Sequence, residues 1–359
     1  MNSYDIDDKR TRKSFKGITF SNYKKSEAKK QLLNSLINGK IEPACYWSIE
    51  YICAGHFLDL WDVILLFSTK YIHLGNPKLP LYLQLRFNNF KDILVSGYVG
   101  NEIRMRNNKK IRIMFAEIIS ILCLSTKKHS ITQVKIEKTN FNMTEITEKL
   151  KADNVGYATK LFAKGDPKEL FIAVNEFAYH LSKKSNNVRD ACYWFEWIIE
   201  FESICKREKK NRLVCSSRHI APVESKYSTD VAWMLWEAIF VEVDKRGAAR
   251  KKIAAALLEL YSMKYRQGYK RRRRFVIYNA ISIVTETLNL NTPIYRNPDK
   301  IENVKKKINI VYKQVKKNEI RPDTDYLFNN SITNGSNLER TIQKLDKMSS
   351  VIGFIPRSN

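Results

Sequence analysis

Hydrophobic residues recur at helical spacing along most of the chain. In residues 45–56 the apolar positions follow an i, i+4, i+7, i+8, i+11 pattern, which places them on one face of a helix: Cys45, Ile49, Ile52, Cys53 and His56. Residues 57–65 repeat this spacing with Phe57, Leu60, Trp61, Ile64 and Leu65. The pattern therefore predicts successive amphipathic helices from residue 26 onward.

The same spacing predicts helices through the rest of the chain. They cover about 83–94, 166–181, 188–208, 229–246, 248–266, 269–289 and 299–318, with one more near 337–349. A short strand is indicated only around residues 131–136. The predicted fold class is all-α, a multi-helix globular domain with at most one short strand pair.

Three short sequence matches indicate an internal duplication. Ala44–Trp47 recurs at 191–194, Leu60–Ile64 is matched at 235–239, and Lys109–Arg112 with its following Ile-Ser-Ile is matched from Arg271 onward. The matches keep the same order, which favours two pseudo-duplicated helical halves. The offsets differ, however, and coincidence in a chain rich in Ile, Trp and Lys is the alternative.

These patterns divide the chain into five parts. Residues 1–25 have mixed charge and little apolar content, which predicts a flexible basic arm. The helical halves are 26–128 and 166–291, and the irregular segment 129–165 links them. Residues 292–359 are predicted to form a basic amphipathic helix followed by a polar tail.

Composition narrows the class of protein. The 359 residues contain 63 Lys+Arg against 37 Asp+Glu, a net charge of +26 at pH 7. The 44% of hydrophobic residues can form a core, and the low counts of Gly (12) and Pro (9) argue against turn-rich all-β folds. The polar N-terminus, the lack of a membrane-length apolar run and six cysteines in apolar helical patterns predict an intracellular protein with reduced cysteines and no membrane span.

Motifs for catalysis and metal binding are sparse. The chain has no Gly-x4-Gly-Lys-Ser/Thr and no Gly-x-Gly-x-x-Gly sequence. Cys192, Cys205, Cys215 and His219 lie near one another in sequence, but they lack the Cys-x2-Cys pair that is typical of zinc sites. We therefore expect no enzymatic activity, no catalytic residue, no cofactor and no metal site.

Basic segments give the clearest functional signal. In Tyr265–Arg274 tyrosines lie between cations, so the cations can neutralise phosphates while the tyrosines stack on bases. This segment and Lys109–Arg112 both begin a predicted helix, where the helix dipole disfavours cations unless an anion is bound. The predicted nucleic-acid-binding residues are Lys109, Lys110, Arg112, Tyr265, Arg266, Tyr269, Lys270, Arg271, Arg272, Arg273 and Arg274. The alternatives are a solvated surface and a nuclear import signal at 270–274.

The predicted helix 299–318 combines an apolar stripe with many lysines. The stripe consists of Ile301, Val304, Ile308, Val311 and Val315. It predicts packing against the domain, and the alternatives are docking of partner proteins or contact with a membrane surface.

Two runs of sequence resemble a known family. Tyr46–Trp61 (YWSIEYICAGHFLDLW) and Tyr71–Pro80 (YIHLGNPKLP) resemble an uncharacterised conserved protein family of the nucleocytoplasmic large DNA viruses, giant viruses of the phycodnavirus and mimivirus kind. The basic stretch 270–274 and its following helix are similar to it too, so the resemblance spans about residues 12–295. It implies a virus-encoded protein in the host cytoplasm or nucleus, either in the viral factory or in the virion. Partner proteins that dock on helix 299–318 would then be other viral proteins. The resemblance assigns no catalytic residue.

Charge and resemblance together predict a non-enzymatic basic protein that binds nucleic acid, with DNA as the expected partner, through phosphate contacts. Replication, transcription and genome packaging are the processes in which we expect it to act. The alternative is a structural virion or core protein whose charge contacts packaged DNA or acidic partner proteins.

Overall fold

The computed structural model describes residues 3–208 and 213–321. Its α-helices are α1 (Lys25–Ile37), α2 (Ile41–Cys53), α3 (Phe57–Phe67), α4 (Leu79–Val95), α5 (Lys109–Leu124), α6 (Met143–Lys149), α7 (Gly156–Thr159), α8 (Phe171–Leu181), α9 (Val188–Glu208), α10 (Val231–Asp244), α11 (Ala248–Ser262), α12 (Tyr269–Arg272), α13 (Arg274–Thr285) and α14 (Pro298–Lys316). Short 3₁₀-helices lie at Arg12–Phe15, His73–Gly75, Glu102–Asn107, Lys138–Phe141, Lys168–Leu170 and Ser225–Tyr227, and a π-helical turn lies at Ser68–Ile72. No strand forms in the described ranges, which confirms the all-α prediction.

The strand predicted around residues 131–136 is wrong. This segment has no strand partner, and its residues Ile131, Val134 and Ile136 pack half-buried against the second half of the molecule. The Val134 N–H donates to the hydroxyl of Tyr278 at 3.3 Å. The apolar residues of this segment are therefore covered by helices and not by a neighbouring strand.

Two hydrophobic cores organise the helices. The first is built mainly from α1–α5 and α14, and the second mainly from α8–α11 and α13. Trp61 is fully buried in the first core and Trp236 in the second. These two tryptophans belong to the matched sequences at 60–64 and 235–239, so equivalent residues occupy equivalent places.

Helix packing in the two cores follows the same scheme. α1 packs against α2 and α5, as α8 packs against α9 and α13. α3 and α4 both contact α5, as α10 and α11 both contact α13. The three matched sequences lie on α2 and α9, on α3 and α10, and at the beginnings of α5 and α13. Duplication of the sequence stays a prediction. α4 packs against α11 and joins the halves.

The predicted flexible arm is held on the first core over much of its length. Phe15 and Phe20 are fully buried, with ring centroids 5.8 Å apart. The guanidinium of Arg10 lies 4.8 and 4.7 Å from the two ring centroids. The Nε2 atom of His56 lies 2.9 Å from the Phe15 carbonyl oxygen. These contacts make this part of the arm an ordered part of the domain, because two large apolar side chains have left water.

The helix predicted at 299–318 corresponds to α14, which packs on α2 and α5. Its buried side chains are Ile301, Ile308, Val311, Tyr312 and Val315, so the predicted packing of the apolar stripe is confirmed. By contrast, the single helix predicted at 269–289 is two helices, α12 and α13, with a break at Arg273. The helix predicted near 337–349 lies outside the described residues.

Contacts divide the chain into two units. Of the described residues, 3–6 and those between Arg10 and Glu319 form one unit, which contains all the α-helices named above. Asp7–Lys9 and residues 320–321 belong to the other, in which the Ile320 N–H donates to the Asp8 carboxylate at 2.9 Å. Within the described ranges, no helix combines the length and apolarity needed to cross a bilayer. All six cysteines are buried free thiols.

Candidate nucleic-acid interface

The basic run 270–274 lies where α12 gives way to α13. Lys270 is buried, and its ammonium group lies 2.5 Å from Glu202 and 2.9 Å from Asp230. Asp230 also caps α10, because its carboxylate accepts the Ala232 N–H at 3.0 Å. Lys270 therefore holds the beginning of α10 and has no surface to offer a phosphate.

Arg273 is buried as well, with a side chain that is 4% exposed. Its guanidinium donates to the carboxylate of Asp62 at 2.8 and 3.0 Å and to the carbonyl oxygens of Tyr261 and Met263, both at 2.7 Å. All of these acceptors are inside the protein. Arg273 thus links α3 in the first half to the turn before α13 in the second.

The neighbouring arginines are paired with carboxylates of α9. Arg274 contacts Glu196 at 3.1 Å, and Tyr278 donates to the same carboxylate at 2.8 Å. Burial raises the pKa of Glu196 above its usual value. Arg271 contacts Glu200 at 2.6 Å in a half-exposed pair. The anions that we inferred from the helix-dipole argument are therefore present, but they are this chain's own carboxylates.

The tyrosines of the segment face inward or are covered. Tyr265 is buried, with its ring centroid 4.7 Å from that of Trp233 and 5.6 Å from that of Tyr261. Tyr269 is half-buried, and the Arg273 guanidinium lies 4.2 Å from its ring centroid. Stacking of Tyr265 on a base would require the second core to open.

At the beginning of α5 the predicted residues separate into two kinds. Arg112 is buried, donates to the Asn107 side chain at 2.9 Å and to Asp5 at 3.2 Å, and lies over the Tyr312 ring. Its role is to fasten α14 and the N-terminal residues. Lys109 and Lys110 are exposed, and no carboxylate in the described part of the chain pairs with them.

The predicted site residues that reach solvent are thus Lys109, Lys110, Arg266, Arg271 and Arg272. Arg272 is the most exposed of those with an ionic neighbour: its side chain is 63% exposed, and among the described residues its carboxylate neighbour is Asp62 at 3.9 Å, which Arg273 already binds. An exposed arginine gains little from a pair at this distance, so Arg272 remains available to a ligand.

Arg272 lines a cleft of about 290 Å³ between α1, α3 and the beginning of α13. The charged residues of this cationic cleft are Lys25, Lys29, Asp59, Asp62, Arg272 and Arg273. Lys25 contacts Asp59 at 2.7 Å, and Lys29 is exposed. Four cations thus face two carboxylates. Sequence reasoning missed Lys25 and Lys29, because nothing local to α1 indicates that it lies beside Arg272.

The cysteine cluster offers no obvious ligand set. Cys192, Cys205 and Cys215 are buried, and burial raises the pKa of the Cys215 thiol to about 12. His219 is exposed. Over residues 3–208 and 213–321, no three His, Cys, Asp or Glu side chains are grouped so that they could hold a metal ion.

Comparison with models of protein families, with curated proteins and with solved structures gave no match for this chain.

Proposed function

We propose that this chain binds nucleic acid through phosphate contacts, with the cationic cleft as one contact surface. The observation that supports this most is the excess of cations in the cleft, where Asp59 and Asp62 hold Lys25 and Arg273 in place. Cations fixed by the protein lose less side-chain entropy when a phosphate arrives. Lys29 and Arg272 lie at the same cleft. The two carboxylates do not offset the positive charge of these two side chains.

A phosphate-binding surface of this kind is insensitive to base sequence. Phosphate contacts orient a protein on its nucleic acid, whereas sequence is read at base edges or through the shape of the duplex. The exposed cations at the beginning of α5, Lys109 and Lys110, add positive charge of the same kind. We therefore propose binding to DNA with similar affinity for unrelated sequences.

The resemblance of 46–61 and 71–80 to a family of large DNA viruses supports a role in viral replication, transcription or genome packaging. In this proposal the protein is a non-enzymatic accessory factor that neutralises the backbone. No step requires a cofactor or a bound metal.

The cleft is tested by a double variant of the full chain, Lys29→Gln with Arg272→Gln. Both side chains are exposed, so the fold should be kept. We expect the slope of log K against log salt for a labelled duplex to fall by about 2, at roughly 0.9 per lost phosphate contact. The charge-matched control is Lys138→Gln with Lys168→Gln, two exposed lysines far along the chain from the cleft residues. An equal effect of both variants would remove the cleft from the proposal.

A further inference from the structure

The lysines of α14 fall into two groups. Lys305 and Lys316 form contacts within the chain. Lys305 lies 2.6 Å from Glu302 and 3.5 Å from Glu117. Lys316 contacts Glu319 and donates to the Asp5 carbonyl oxygen. Together with the buried apolar stripe, these contacts hold α14 firmly on α2 and α5.

The other group points to solvent and has no partner among the described residues. It consists of Lys300, Lys306, Lys307, Lys313 and Lys317, all exposed. At 100° per residue these five positions fall within an arc of about 140°, and the buried residues occupy the adjacent arc of about 100°. We name these five residues the α14 lysine face. From Lys300 to Lys317 it extends about 25 Å, at 1.5 Å per residue.

A second basic segment of the chain differs from the α14 lysine face. In the basic run 270–274, four of the five cations contact a carboxylate within 3.1 Å. The chain therefore does supply acidic partners to a dense basic segment. On the α14 lysine face Asp299 lies within the same arc, but none of the five lysines forms an ion pair with a carboxylate of the described part, and the five like charges repel one another until an anion approaches.

We propose that the α14 lysine face is a second phosphate-binding surface, and that its ligand is the backbone of duplex nucleic acid; the proposal rests on the function proposed above. A length of about 25 Å matches roughly seven base-pair steps at 3.4 Å each along one strand. Lysines are suited to this contact because each is a flexible point charge with three donors.

An anionic membrane is the other polyanion that a basic helix can meet, and the packing of α14 argues against it. A helix that lies in a membrane surface inserts its apolar face among the acyl chains. In α14 that face is buried on the domain, and Ile310 is the large apolar side chain of this helix that is exposed, at 57%. Ile310 lies within the arc of the lysine face, but one side chain is far less than the apolar face of a membrane-surface helix, so the lysine face offers mainly charge.

The test compares two quintuple variants of the full chain. In the first, the five residues of the α14 lysine face are changed to Gln. In the second, five exposed lysines elsewhere are changed to Gln: Lys135, Lys138, Lys160, Lys164 and Lys168. Both lose the same net charge. A third variant, with the α14 lysine face changed to Arg, keeps the charge. Each variant is titrated with a short labelled duplex at several salt concentrations. The melting curve of each variant is recorded as well.

We expect the first variant to melt like the unmodified chain and to lower the salt slope of log K by about 4 to 5, at roughly 0.9 per phosphate. The control should lower it far less, and the Arg variant should keep it. Equal slopes in the first variant and the control would overturn the inference while leaving the cleft proposal in place. A second result would also overturn it: the unmodified chain binds phosphatidylserine vesicles, and the first variant loses this binding while it binds duplex as before. An unmodified chain that does not bind duplex at all would overturn the proposed function itself.

Discussion

The guanidinium of Arg273 donates two hydrogen bonds to one carboxylate oxygen of Asp62, at 2.8 and 3.0 Å. Asp62 lies on α3 in the first half, and Arg273 lies between α12 and α13 in the second. The contact joins the halves beside the cationic cleft and removes one cation of the basic run from solvent. The number of cations in the sequence of the basic run 270–274 is thus larger than the number that this run exposes to solvent.

The first prediction concerns this pair. Asp62→Asn leaves the buried Arg273 charge without its carboxylate, so the free energy of unfolding should fall by roughly 3 kcal/mol, as for other broken buried pairs. The control is Asp59→Asn, which breaks the exposed pair with Lys25 and should cost less than about 1 kcal/mol. Urea unfolding measures both. Equal losses would show that the Asp62–Arg273 contact is a surface pair in solution.

Adjacent cations of the basic run should behave differently from each other. Lys270→Ala removes the buried cation that lies between the carboxylates of Glu202 and Asp230, so we expect a loss of roughly 3 kcal/mol or more. Arg271→Ala breaks only the half-exposed pair with Glu200 and should cost less than about 1 kcal/mol. Melting temperatures of the two variants give the comparison, and a Lys270 variant as stable as the Arg271 variant would contradict the buried position.

Acid should destabilise the protein through His73. Burial, and then the positive charge of Lys128, lower the pKa of His73 to about 4 in the folded state, below its ordinary 6.5. The unfolded chain therefore takes up a proton first as the pH falls. The stability from this group is complete above about pH 6.5 and is lost towards pH 4, by roughly 3 kcal/mol.

The variant His73→Asn isolates this effect, because Asn has no titrating ring. Urea unfolding of both proteins through this pH range should show that the unmodified chain loses more stability than the variant. Parallel curves of stability against pH would mean that His73 does not titrate as a buried group. The pKa of His180 is also lowered to about 4, but His180 is present in both proteins, so its contribution is the same in both curves.

Residues at the beginning of α5 should separate binding from stability. Arg112→Ala removes a buried group that holds Asp5 and Tyr312, so it should lower the melting temperature markedly. Lys109→Gln with Lys110→Gln should leave the melting temperature nearly unchanged and reduce the salt slope for duplex binding by up to about 2. Two results would contradict these positions. One is a lower melting temperature in the double lysine variant, and the other is an Arg112 variant that loses affinity for duplex while its melting temperature is unchanged.

Local pattern was sufficient for most of the fold. The spacing of Phe57, Leu60, Trp61 and Ile64 predicts α3, and the stripe from Ile301 to Val315 predicts α14, because a helix buries residues that are close in sequence. The segment 131–136 shows the limit of this reasoning. The sequence indicates a short strand there, but whether a strand forms depends on a partner that the local sequence does not contain.

The candidate site was predicted less well for the same physical reason. Lys270 and Arg273 look like any exposed cation in sequence, and their partners Asp230 and Asp62 are 40 and 211 residues away. Burial of a charge is decided by tertiary contacts of this range. The cationic cleft needs α1 and the turn before α13 to meet, which no motif in either segment indicates.

The central claim is tested most directly by titrating the unmodified full-length protein with several unrelated duplexes at a series of salt concentrations. The account predicts binding to all of them with similar affinity, and a log K that falls linearly with log salt with a slope of several units, because each phosphate contact contributes about 0.9. Absence of binding at low salt, or binding that salt does not weaken, would contradict it.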